Sequence, residues 1–86
     1  MEVPNDDREG GALQTRRNAA LDVLNTLPPR QRAVLIEMAR GKLNKQIAFG
    51  LGIAERTVKM HRAAVMAALN VKSSADAIRI AVEAGY

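Results

Sequence analysis

The sequence predicts an all-α fold, and three observations carry that prediction. The chain has 86 residues, which is enough for one small domain and too few for most enzyme folds. Alanine is the dominant apolar residue, and aromatic residues make up only 2% of the chain, a composition that favours helix over strand. Apolar residues recur at helical spacing in five successive segments, so five helices are expected.

The composition also excludes several kinds of site. There is no cysteine and only one histidine, so a disulfide scaffold and a Cys/His zinc site are excluded, and no metal or cofactor is expected. No run of about 18 apolar residues is present, and the acidic N-terminus lacks the features of a signal peptide. These features predict a soluble, cytoplasmic protein.

The positive charge is concentrated in the middle of the chain. Residues 30–72 contain nine Lys and Arg residues and two Glu residues, a net charge of +7, whereas residues 1–29 and 73–86 have net charges of −2 and −1. A folded stretch with this charge repels itself unless an anionic partner is present, and nucleic acid is the first candidate. A solvated basic surface is the alternative.

The first two predicted helices are separated by prolines. Residues 1–11 are polar and acidic and predict a flexible tail. An amphipathic helix follows over residues 12–26 and is ended by Pro28. Pro29 suits the first turn of a second helix that reaches Gly41.

Three further helices follow. Asn44 is the best available cap for a short third helix. A longer fourth helix is predicted over about 55–69. Ser73 and Ser74 can cap the last helix, over about 74–84.

The spacing around one glycine predicts a helix-turn-helix unit over about 44–63. Gly52 lies between the third and fourth helices, where a tight turn requires a residue with positive φ. Ala48, four residues earlier, is small enough to allow close helix approach, and Val58, six residues later, can fill the angle between the helices. An ordinary helical hairpin with a glycine turn is the alternative.

The fourth helix divides into two faces when it is projected at about 100° per residue. The predicted buried stripe consists of Val58, Val65, Ala68 and Leu69. The opposite face carries two cations, a flexible thioether and small alanines: Arg56, Lys59, Met60, Ala63 and Ala67. Such a face suits a DNA major groove, because alanines allow close approach while the cations reach base edges or phosphates. Thr57 and His61 flank the buried stripe, where they can contact the sugar-phosphate backbone, although a stabilising half-buried histidine is the alternative for His61.

Two segments, GKLNKQIA from Gly41 and LGIAERTVKMHR from Leu51, resemble the LuxR/FixJ/NarL family of bacterial transcription regulators, and most closely its FixJ branch. The resemblance covers about residues 27–84 and implies a four-helix helix-turn-helix domain of the LuxR/GerE type, here with an additional N-terminal helix. By position it implies base contacts from Lys59 and Met60. It also implies neighbours of DNA phosphates, which are Lys45, Thr57, His61 and Arg62.

The resemblance further implies a homodimer formed through helix 74–84. Its predicted contact residues are Ala77, Ile80, Ala81 and Ala84. Pro28 and Ala54 stand where relatives have capping residues, and each missing cap is expected to cost about 1 kcal/mol of stability. Ala63 stands where some relatives are basic, so the target site is expected to differ. The receiver or ligand-binding domain that usually precedes this module is not expected, and the chain is then either a stand-alone regulator or a fragment.

The predicted function is therefore sequence-specific binding of double-stranded DNA by a non-enzymatic transcription regulator, with RNA polymerase or a larger regulator as further possible partners. One alternative is a protein-interaction module that binds and antagonises a larger regulator. A second is a promoter reader like σ-factor region 4, which has a similar Leu-Gly-Ile turn but typically ends with its recognition helix. No phosphate-binding glycine loop, carboxylate pair or nucleophile–base arrangement supports an enzyme.

Overall fold

The structure, a computed structural model, describes the backbone of residues 4–86 and the side chains of residues 11–86. This part of the chain consists of five helices joined by short turns and has no strand, which confirms the all-α prediction. The helices are α1 (Pro4–Asn25), α2 (Pro29–Ala39), α3 (Asn44–Leu51), α4 (Glu55–Leu69) and α5 (Ser74–Glu83).

Helix α2 lies at the centre of the packing, against both α4 and α5. Helix α3 packs on α4 to form the helix-turn-helix unit, and α1 packs on α5. The fully buried side chains of greatest volume are contributed by α1 to α4: Leu24, Val34, Leu35, Ile47, Val58 and Val65. One apolar core therefore fixes the orientation of the helix-turn-helix unit.

Helix α1 is longer than the sequence predicted. It begins at Pro4, so the predicted boundary at residue 12 is wrong and residues 4–11 are helical rather than a tail; Met1–Val3 lie outside the described residues. Proline is compatible with the first helical position, and a glycine inside a helix costs about 1 kcal/mol relative to alanine, which is too little to end the helix by itself.

Only the C-terminal part of α1 belongs to the core. Ala20 and Leu24 are buried, and Leu27 follows them in the turn to α2, whereas every residue from 11 to 19 is exposed. Leu13, an apolar residue near the start of the predicted amphipathic helix, is 63% exposed. The first half of α1 therefore projects from the core. The overall dimensions, with α1 included, are 56 by 22 by 20 Å.

The start of α3 differs from the prediction in a way that matters for the site. Leu43 is the N-cap residue and Asn44 is the first helical residue, so the Asn44 side chain does not cap the helix. The side chain of Gln46 instead reaches back, and its Oε1 accepts a hydrogen bond of 2.8 Å from the Leu43 N–H. The Asn44 side chain is thereby free for another contact.

The turn between α3 and α4 has the predicted conformation. Gly52 has φ of +70° and ends α3 in the left-handed region, and the Ile53 N–H donates to the Ala48 carbonyl at 3.0 Å, which closes a Schellman turn. Val58 fills the angle between the helices and is 0% exposed. These contacts confirm the sequence assignment of a helix-turn-helix.

The end of α4 and the start of α5 are each fixed locally. Asn70 ends α4 with φ of +56°, a left-handed conformation that asparagine tolerates better than most residues. The predicted Ser73 cap is confirmed, since its Oγ accepts a hydrogen bond of 3.1 Å from the Asp76 N–H. In the predicted buried stripe of α4, Val58 and Val65 are buried and Leu69 is half-buried, whereas Ala68 is exposed and its predicted burial is wrong.

Within the described residues, no helix combines the length and apolarity needed to cross a membrane.

Candidate nucleic-acid interface

No other described helix covers the outward face of α4. Arg56, Lys59, Met60 and Ala63 are all exposed, as the projection from the sequence predicted, and Met60 is 61% exposed. The face lies opposite Val58 and Val65, which anchor α4 in the core. The helix thus presents two cations, a thioether and an alanine on a surface free to enter a groove.

Thr57 and His61 lie at the edges of this face. Both are half-buried, as expected from their predicted positions beside the buried stripe. Side chains at such an edge approach a nucleic acid where its backbone passes over the helix, rather than at the base edges.

Three cations near this face have no partner among the described side chains. Lys45, on the outer side of α3, and Arg56 and Lys59, on α4, are exposed and form no ion pair or side-chain hydrogen bond with another described residue. The basic residues at the end of α2 behave differently. Arg40 and Lys42 both contact Glu37, at 2.6 and 3.3 Å.

Two further arginines in the basic segment donate hydrogen bonds to backbone carbonyls, a structural role that the sequence did not indicate. Arg30 Nη1 donates to the Leu51 carbonyl at the end of α3, and Arg32 Nη2 donates to the Leu27 carbonyl, both at 3.4 Å. Arg30 and Arg32 keep their charge in these bonds, but among the described side chains the exposed cations without any such contact near the helix-turn-helix are Lys45, Arg56 and Lys59.

Arg62, which the family resemblance places near DNA phosphates, forms hydrogen bonds within the domain. It is half-buried, and its guanidinium donates to Asn44 Oδ1 and to Ser74 Oγ, each at 2.9 Å. The structure therefore ties this residue to α3 and α5.

Three of the four predicted dimer contacts are in the core. Ala77 and Ala81 are 0% exposed and Ala84 is 3% exposed, because α1, α2 and α4 cover this side of α5. Their predicted role in a dimer contact is wrong, since apolar spacing alone cannot distinguish a core face from an interface. Ile80 is half-buried in a groove between α1 and α5, and Val82, on the other side of α5, is 54% exposed.

Two exposed apolar side chains were not singled out from the sequence. Phe49 on α3 is 91% exposed, and Leu43 before α3 is 68% exposed. The helical projection of α3 could have indicated the first, because Phe49 lies opposite the buried pair Ile47 and Ala48.

The family model for "Bacterial regulatory proteins, luxR family" matches residues 25–81, which include the whole helix-turn-helix unit and most of α5. The chain belongs to this family. The chain is 43% identical over 76 residues to nodulation protein W of Bradyrhizobium diazoefficiens, a match that covers 81% of this chain and 34% of the relative. It is 44% identical over 63 residues to the transcriptional regulatory protein FixJ of Rhizobium meliloti, with 73% of this chain and 31% of the relative covered.

The luxR-family domain is also similar in structure to a solved relative. The crystal structure of full-length FixJ from B. japonicum matches with a TM-score of 0.78 at 29% identity, covering 88% of this chain and 37% of that one. The chain spans about a third of the length of these relatives. The family and its FixJ-type members support DNA-binding transcriptional regulation as the class of function.

Proposed function

We propose that this luxR-family domain is a sequence-specific, double-stranded DNA-binding module of a transcription regulator, with α4 in the major groove. The observation that carries the proposal is the outward face of α4, where Arg56 and Lys59 are exposed and unpaired with other described side chains beside Met60 and Ala63. A major groove admits one α-helix, and its base edges offer acceptors to such cations. A regulator of this kind works on chromosomal DNA, so we propose the bacterial cytoplasm as its location.

Within this proposal the residues divide between base contacts and phosphate contacts. Lys59 and Met60 lie on the exposed face of α4 and would meet base edges, while Ala63 allows the backbone to come close. Lys45, Thr57 and His61 would contact the phosphates, which fix the orientation of the protein on the duplex.

We also propose that the protein binds as a homodimer through α5, with a changed set of contact residues. Ala77, Ala81 and Ala84 are buried within one chain, which leaves the opposite side of α5, centred on Val82, as the available apolar surface. Two-fold pairing brings the same surface of each copy together, so a single exposed valine contributes twice.

The Val82→Asp variant is expected to lose the dimer, because the pairing would bring two carboxylates together in an apolar contact. Sedimentation velocity, with the protein alone and with a bound duplex, measures the change. Leu13→Asp is the matched control, since Leu13 is similarly exposed but lies on the projecting part of α1. A dimer that persists in Val82→Asp, or that is lost in Leu13→Asp, would contradict the α5 interface.

Selection of bound duplexes from a random DNA pool tests the function as a whole. We expect enrichment of a single motif with two-fold symmetry, since two copies of α4 would read two half-sites about one helical turn apart. Failure to enrich any sequence would contradict sequence-specific binding.

The second candidate function is a protein-interaction module, which the exposure of Phe49 favours. A phenylalanine that is 91% exposed contributes little to the core, and aromatic residues including phenylalanine are enriched in protein interfaces. The partner would be a larger regulator or RNA polymerase. If the random pool yields no enriched sequence, this function becomes the leading one.

A further inference from the structure

One side chain joins three helices of the luxR-family domain. Arg62 lies halfway along α4, and its two terminal nitrogens donate to different helices: Nη1 to Asn44 Oδ1 and Nη2 to Ser74 Oγ, both at 2.9 Å. Asn44 is the first residue of α3 and Ser74 is the first residue of α5. A single guanidinium thus connects the beginnings of two helices to the recognition helix.

The direction in which Arg62 leaves α4 places it beside the buried stripe of the helix rather than at the centre of its exposed face. At about 100° per residue, Arg62 lies about 40° from the buried Val58 and about 160° from Met60. Its half-buried side chain agrees with this position, whereas Lys59 and Met60 are exposed. Arg62 therefore occupies the junction of α3, α4 and α5 and not the centre of the surface offered to DNA.

The contact with Asn44 and Ser74 requires a guanidinium group, which has two terminal nitrogens that can donate to two acceptors. The two acceptors, an amide oxygen and a hydroxyl, are neutral and belong to different helices, and the two terminal nitrogens of one planar guanidinium reach both at once. A lysine would keep the positive charge but has a compact head group that cannot hold the same two-sided geometry. The contact depends on shape as well as on charge.

The contact also sets the position of a candidate phosphate-binding residue. Asn44 is followed directly by Lys45, which is exposed and unpaired with any described residue. Holding the Asn44 side chain against α4 fixes the beginning of α3, and with it the distance between Lys45 and the exposed face of α4. The bond to Ser74 fixes the beginning of α5 in the same way.

We propose that Arg62 is a positioning residue that locks α3 and α5 to the recognition helix and does not itself neutralise a DNA phosphate. This inference rests on the proposed DNA-binding function for its effect on DNA. The two hydrogen bonds from Arg62 to Asn44 and Ser74, called the lock below, are a property of the free protein and can be tested without DNA.

The first experiment measures the lock in the absence of DNA, by thermal unfolding of Arg62→Met, Asn44→Ala, Ser74→Ala and the combined variants. Residues joined by a hydrogen bond have non-additive effects, so Arg62→Met is expected to lower Tm by less in the Asn44→Ala, Ser74→Ala background than in the parent. Full additivity of the Tm shifts would overturn the proposal whatever the protein binds.

The second experiment compares binding to the selected duplex and to random DNA across a series of salt concentrations, at a temperature where all variants are folded. Arg62→Lys and Arg62→Met are expected to reduce affinity for the selected duplex by similar factors, about five- to tenfold, with an unchanged salt slope. Arg40→Met is the matched control, because Arg40 is an arginine of the same basic segment whose guanidinium pairs with Glu37 on its own helix and not with α3 or α5.

A direct phosphate contact predicts a different pattern. Arg62→Lys would then bind nearly as well as the parent, and Arg62→Met would reduce the salt slope by about 0.9, the value for one phosphate on duplex DNA. That result would overturn the positioning role. If the unsubstituted protein enriched no sequence from the random DNA pool, that result would contradict the proposed function. The unfolding experiment would still decide whether the lock exists.

Discussion

Replacement of Leu24 by alanine is expected to destabilise the domain by about 2–5 kcal/mol, the range for truncating a leucine in a packed core. Leu24 lies on α1, outside the helix-turn-helix unit, yet it is only 1% exposed because α1 packs on α5. Truncation would leave a cavity between these helices. Since a domain of this size has a total stability of only about 0.05–0.15 kcal/mol per residue, the loss is a large share of the whole.

Leu13→Ala is the matched control for this prediction. Leu13 lies on the same helix and is 63% exposed, so its truncation should change the free energy of unfolding by no more than about 0.5 kcal/mol. Denaturant unfolding followed by circular dichroism measures both variants. Equal, small effects would mean that α1 does not pack on the domain, and the helix would then be an appendage rather than part of the core.

The prediction for Leu24 also bears on the surface of α5. Because α1 covers one side of α5, a weakened α1 would expose Ala81 and Ala84, which are buried in the intact domain. A Leu24→Ala variant that associates more strongly than the parent would indicate that this second apolar side can pair once it is uncovered.

The helix-turn-helix itself was predictable from the sequence because its residues have local requirements. Gly52 needs a positive φ, Val58 must fill a closed angle, and Ser73 caps a helix through its own side chain. Each of these requirements depends on neighbours within about six residues, so spacing alone reveals them. The exposed face of α4 followed for the same reason, once Val58 was assigned to the core.

Features that depend on distant parts of the chain were not predictable in this way. The alanines of α5 have the spacing of an apolar face, but only the packing of α1, α2 and α4 against α5 decides that this face is core. The hydrogen bonds of Arg62 were not predictable for the same reason, since its acceptors Asn44 and Ser74 lie 18 and 12 residues away along the chain. The extension of α1 to Pro4 was missed for a different reason, because two glycines weaken a helix without ending it.

The Lys59→Ala variant should bind its selected duplex more weakly by about 1–3 kcal/mol while its affinity for random DNA changes much less. Lys59 is exposed in the first half of α4, it has no ion-pair partner among the described residues, and it lies on the face opposite the core. A cation in that position can donate to the acceptors of a guanine edge, and that contact exists only where the sequence supplies the base. A repeated selection with the variant should therefore enrich a motif that is degenerate at one position of each half-site.

Lys45→Ala supplies the comparison that separates base contacts from phosphate contacts. Both lysines are exposed and unpaired among the described side chains, so their removal changes the charge of the protein equally. Lys45 lies at the beginning of α3, where the expected contact is a phosphate, and its loss should weaken binding to selected and random duplexes alike and reduce the salt slope by about 0.9. If Lys59→Ala showed that same uniform loss, Lys59 would be a phosphate contact, and base recognition would have to come from Arg56 and Met60.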